Sequence, residues 1–123
     1  MRRAAKTDES KAAIVDAIEA EGWEVFDIRL PCDIVCWHPV LDVLQWMELK
    51  TAKPNGKPRT RDDQPEQAKF LARTSCPIVT TPDEALEVLS QHYPSDVARP
   101  DLVLMAKRIR EEFERAWKAR VAA

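Results

Sequence analysis

The sequence predicts an α/β fold, a mixed sheet flanked by helices, from three observations. The first is a change of hydrophobic period along the chain. Helical spacing over residues 8–21 gives way to alternating or continuous apolar runs between residues 23 and 50. The second is punctuation: Gly22, Pro31, Pro39, Pro54-Asn55-Gly56 and Pro77 fall between those runs. The third is order. A hairpin-rich start followed by a β-α-β unit predicts a mixed sheet with helices on both faces. The element order reads α-β-β-β-α-β-α, followed by an additional C-terminal helix.

In residues 8–21, Ile14, Ala17, Ile18 and Glu21 lie along one side, with Asp8 as a starting cap and Gly22 as the stop. Residues 23–30 alternate, but parity shifts between Val25 and Phe26, which predicts a bulge or an imperfect edge. Asp33-Ile34-Val35-Cys36-Trp37 and Val43-Leu44-Gln45-Trp46-Met47-Glu48-Leu49-Lys50 read as two strands of a hairpin turning near residues 39–42. Residues 51–63 form a loop. Asp63 caps the next helix, with Glu66 completing a capping box and Gln67, Phe70 and Leu71 on adjoining faces. Residues 76–80 are a short strand. Thr81-Pro82-Asp83-Glu84 repeats the capping-box pattern, with proline at the first helical position of a helix ending near Gln91. Residues 101–121 form a long helix carrying Leu102, Met105, Ile109, Phe113 and Trp117 at spacings of three or four.

At 123 residues, the chain reads as one domain, with a core over about residues 8–91 and a helical extension over about 100–121. With 45% hydrophobic and 33% charged residues, and no apolar run near the roughly 20 residues a bilayer demands, a cytoplasmic, membrane-free protein is expected. Cys32, Cys36 and Cys76 are odd in number and read as reduced, buried thiols. Cys32, Cys36 and His38 share strand parity, but their spacing matches no standard zinc module. The net charge of −2 announces no nucleic-acid binder, yet Lys50, Lys53, Lys57, Arg59 and Arg61 precede any acid in their stretch. That run is either a solvated loop or a phosphate-contacting one.

Glu48 and Lys50 stand two apart at the end of an apolar strand and so share a face. In the expected hairpin Asp33 lies opposite them, and two acids with a lysine converge at one sheet end. Taken singly, each has a plainer reading. Glu48 and Lys50 can be an ion pair on an edge strand, Asp33 a turn cap, Gln67 a surface glutamine and Glu9 a first-turn acid favoured by the helix dipole.

Asp33…Glu48-Leu49-Lys50 in this element order resembles the PD-(D/E)XK nuclease superfamily. It is most similar to the small virus-type replication-repair nucleases, which are related to Holliday junction resolvases. Glu9, thirteen residues before Gly22, resembles that family's N-terminal glutamate. Gln67-Ala68-Lys69-Phe70-Leu71 is similar to its glutamine-bearing helix, and residues 77–86 to its closing strand-helix unit. Cys32 intervenes between Pro31 and Asp33, where the family sets proline directly before aspartate.

The resemblance implies a restriction-endonuclease-like fold and a Mg²⁺- or Mn²⁺-dependent deoxyribonuclease of phage or mobile-element type, acting on junctions or flaps. Asp33, Glu48 and the Leu49 carbonyl would hold the ion, and Lys50 would serve the water or the phosphate. Gln67 and Glu9 would support them, and Lys53, Lys57, Arg59 and Arg61 would contact DNA. A second copy of the chain is a candidate partner through the C-terminal helix. The rival expectation is a catalytically silent nuclease-fold module that binds DNA or protein, and a third is a small interaction protein.

Overall fold

The computed structural model describes residues 3–50 and 65–122, and of residues 3–9 the backbone only. Helix α1 (Arg3–Ala20) leads into strands β1 (Glu24–Asp27), β2 (Ile34–His38) and β3 (Val43–Leu49). Helix α2 (Pro65–Arg73), strand β4 (Ile78–Val79), helix α3 (Pro82–Ser90) and helix α4 (Arg99–Ala122) follow. The four strands form one mixed sheet in the order β1-β2-β3-β4, antiparallel except for the parallel β3–β4 pair. The α/β class and element order thus stand as expected. One start does not: α1 begins at Arg3, so Asp8 lies inside the helix and does not cap it. The Asp63 cap and the loop over residues 51–63 lie outside the described residues.

Alternation gives the sheet two unlike faces. Ile34, Cys36, Met47 and Leu49 project to one side, where Ile14 and Ile18 of α1 and Ala85 and Leu89 of α3 close a single core. Val35, Trp37, Leu44, Trp46, Glu48 and Ile78 share the other side. There α2 covers only the end bearing Glu48, and Leu44, Trp46 and Ile78 stay exposed. The first strand is shorter than the sequence suggests, ending at Asp27 before Arg29 turns to φ 68.

The hairpin turn falls where expected. Asp42, at φ 55, donates its N–H to the His38 carbonyl at 2.7 Å, and its Oδ1 accepts the Trp37 indole N–H at 2.9 Å. At α3, Thr81 Oγ1 accepts the Glu84 N–H at 3.1 Å, as a capping residue should. Glu84 reaches one residue further back than in a standard capping box, accepting the Thr80 N–H at 2.7 Å. That bond, with a second from the Thr80 hydroxyl, holds the Glu84 carboxyl below its ordinary value.

Gly22 decides how α4 docks. It has φ +97, and a Cβ there would come within 2.9 Å of Ala106 Cβ. Two small residues therefore let the start of α4 cross the α1–β1 turn at near backbone contact. Trp23, fully buried beside it, donates its indole N–H to the Tyr93 hydroxyl at 2.9 Å and meets His38 edge-on at 5.0 Å. Arg99 lies over the Tyr93 ring at 4.7 Å and bonds Glu21 at 3.0 Å, fastening the same corner.

His38 is a buried base in that corner. Its Nδ1 accepts the N–H groups of Val40 and Leu41, each at 3.2 Å. Burial, then the nearby Arg110 charge, hold its pKa below 6.5. The sign of the pH effect follows. Above about pH 6.5 both folded and unfolded forms are neutral, and below it the unfolded chain takes up a proton first, so stability falls with acidification. Thermal melts from pH 7.5 to 5.5 should show a steeper loss for the native chain than for His38→Gln. Parallel curves for the two proteins would rule the titration out.

Candidate active site

The register Ile34↔Met47, continued by one residue, sets Asp33 opposite Glu48. Both then project to the same side of the sheet. The link is reciprocal. The Asp33 N–H donates to Glu48 Oε1 at 3.2 Å, and Asp33 Oδ2 accepts the Leu49 N–H at 2.8 Å. The Asp33 carboxylate thereby takes over the sheet ladder where β2 stops, and the Glu48 carboxylate fixes the chain that carries Asp33.

Glu48 sits on an interior strand, which excludes the edge-strand ion pair as its explanation. Its N–H donates to the Pro77 carbonyl at 2.9 Å, and Lys50 continues the ladder to the Val79 carbonyl at 3.0 Å. Two N–H groups aimed at the same neighbour confirm that Glu48 and Lys50 share a side. Glu48 is 0% exposed. A carboxylate so buried needs donors, and a third element supplies one: Gln67 Nε2 of α2, itself buried, donates to Glu48 Oε1 at 2.9 Å. The surface-glutamine reading of Gln67 is thereby excluded. Its own Oε1 is buried without a hydrogen-bond partner among the described residues.

Helical spacing explains why α2 fits here. Gln67 meets Glu48 while Phe70, three residues on, meets Trp46, two residues back along β3, with ring centroids 5.7 Å apart. The next face of α2 carries Glu66, Lys69 and Arg73, which with Phe70, Leu30 and Pro31 line an open groove. Sequence reading passed over Lys69, Arg73 and the Trp46–Phe70 pair. No local spacing announces them, since α2 and β3 meet only in the folded chain.

Cys32 and Cys76 lie behind the acid pair. Burial raises the Cys32 thiol, with the charges of Glu48 and Asp33 adding to the rise. Burial pushes Cys76 up to about 12, with Cys32 and the Glu48 charge adding. Both stay protonated at neutral pH, whereas the thiolate is the form that binds soft metals. Among the described residues no three or more His, Cys, Asp or Glu side chains gather to hold an ion, so Cys32, Cys36, His38 and Cys76 form no zinc site.

The fit to a hard ion rests on a different donor set. Mg²⁺ is commonly bound by one or two carboxylates plus substrate phosphates and water, not by an all-protein cage. Asp33 and Glu48 supply two carboxylates on one side of one end of the sheet. Leu49 belongs to that end, and its N–H is held by Asp33 Oδ2. The donors are all hard oxygens, as Mg²⁺ or Mn²⁺ requires.

Of the remaining expected site residues, Glu9 lies within α1, with its side chain outside the described residues. Lys53, Lys57, Arg59 and Arg61 also lie outside them. No helix among the described residues is long and apolar enough to cross a membrane. Set against known protein families, curated proteins and solved structures, the chain matches none.

Proposed function

We propose that the chain is a metal-dependent deoxyribonuclease of the PD-(D/E)XK kind, hydrolysing DNA phosphodiester bonds at Asp33, Glu48 and Lys50. The observation that carries this is the buried Glu48 carboxylate, which accepts the Asp33 N–H and the Gln67 amide while the Asp33 carboxylate accepts the N–H of the next residue, Leu49. A protein seldom buries a carboxylate without a use for it, because desolvation is costly and an apolar residue would pack as well.

Mg²⁺ or Mn²⁺, when bound, supplies a Lewis acid for a phosphoryl oxygen and acidifies water. The residues divide the remaining work. Asp33 and Glu48 present oxygens held by backbone donors, so little reorganisation is needed when substrate arrives. Lys50, on the Glu48 side, offers a cation to offset negative charge developing on the phosphorane. Gln67 fixes the Glu48 rotamer. Lys69 and Arg73 give the neighbouring groove two cations suited to DNA phosphates.

The test is a panel of plasmid, flap and four-way-junction DNA, with Mg²⁺, Mn²⁺ or chelator. Cleavage is expected with either ion and none with chelator. Binding without cleavage across the whole panel would instead identify a nuclease-fold binding module. That reading is favoured by the net charge of −2 and by the exposed apolar residues Leu44, Trp46 and Ile78 beside the site.

A further inference from the structure

Helix α4 carries one apolar stripe, Leu102, Ala106, Ile109, Phe113, Trp117 and Val121, at spacings of three or four. Its first half docks on the domain, where Leu102 and Ala106 are buried. Its second half touches the sheet through Phe113 and is otherwise exposed. From Glu111 to the end every described residue is exposed, and the same stripe continues as Phe113 (52% exposed), Trp117 (60%) and Val121 (66%). Large apolar side chains in unbroken register on a free helix are costly to leave in water. The ridge also joins the open sheet face: Phe113 stacks on Trp37 at 6.2 Å and 21°, and exposed Leu44 pairs with Trp37 in the adjacent strand.

Within the exposed half, after Lys107, Arg108 and Arg110, charge is segregated and points to the occupant. Glu111, Glu112 and Glu114 come first, and Arg115, Lys118 and Arg120 come after. Two parallel copies in register would set acid beside acid and base beside base. Two antiparallel copies would set Glu112 beside Arg120 and Glu114 beside Lys118, and both pairings share one centre, at Ala116. Ala116, at that centre, adds little bulk to the crossing. The Glu114–Lys118 contact within one helix, 3.9 Å and solvent-exposed, is too weak to compete.

We propose that α4 is a self-association element, pairing antiparallel about a two-fold axis near Ala116, with Phe113, Trp117 and Val121 as the buried seam. The interface is isologous, each copy giving the same surface. It does not depend on the nuclease reading.

Sedimentation velocity on the full chain from about 1 µM to about 300 µM tests it. A reversible monomer–dimer equilibrium is expected, with Trp117→Glu weakening it at least about tenfold. Because Trp117 is exposed, the circular dichroism of that variant should match the native chain. Glu112→Lys with Glu114→Lys should also weaken the dimer, and adding Lys118→Glu with Arg120→Glu to the same chain should restore it. A chain monomeric throughout, or a dimer indifferent to Trp117→Glu, overturns the proposal. A dimer unaffected by the double reversal overturns the antiparallel pairing.

Discussion

Glu48→Ala is expected to abolish metal-dependent DNA cleavage, lowering the rate by about 10³-fold or more, the scale of removing a preorganised electrostatic group. The same change removes the acceptor for the Gln67 amide and the Asp33 N–H, at about 1–3 kcal/mol for each buried donor left unsatisfied. Loss of activity in that variant alone could therefore mean loss of fold. Glu48→Gln separates the two, because it keeps a carbonyl oxygen for both donors and removes the charge. It should melt close to the native chain and still not cleave. Gln67→Ala should lose less, about 10–100-fold, as befits a residue acting through its hold on Glu48. Full cleavage by a folded Glu48→Gln protein would end the assignment of the site.

The largest stability effect is expected at a residue far from the chemistry. Gly22→Ala should cost about 2–4 kcal/mol. About 1–2 of these come from forcing a Cβ into the left-handed region at φ +97, and the rest from the 2.9 Å approach to Ala106 Cβ. The parts can be separated. Gly22→Ala combined with Ala106→Gly removes the contact but leaves the backbone strain, so denaturant midpoints should recover only in part. Full recovery would show that strain at residue 22 is negligible, and no recovery would show that α4 does not cross there.

How far the sequence carried depends on the range of the interaction. The hairpin was legible because apolar runs bounded by Pro31 and by His38-Pro39 leave one turn position, and parity then sets Asp33 against Glu48 without further knowledge. That β3 is interior was not legible. It follows from pairing with β4, about thirty residues later, and this long-range step turns Glu48 from a rim charge into a buried one. The contact between Gln67 and Glu48 entered only through resemblance to a family, since no local spacing relates a helix to a strand across a loop. The start of α1 was missed because residues 3–7 carry no apolar period to mark a helix. In α4 the stripe was visible, but which half would be covered depends on where the domain ends.

The hairpin register binds folding and chemistry more tightly than catalytic residues placed on loops would. A slip of one residue between β2 and β3 would turn Met47 and Leu49 out of the core and, in the same movement, carry Glu48 away from Asp33. A misregistered molecule therefore has neither an interior nor a site. Under the proposed function, the fraction of molecules able to cleave would then equal the fraction with the correct register. On that same reading, selection for activity and selection for strand register would be the same selection.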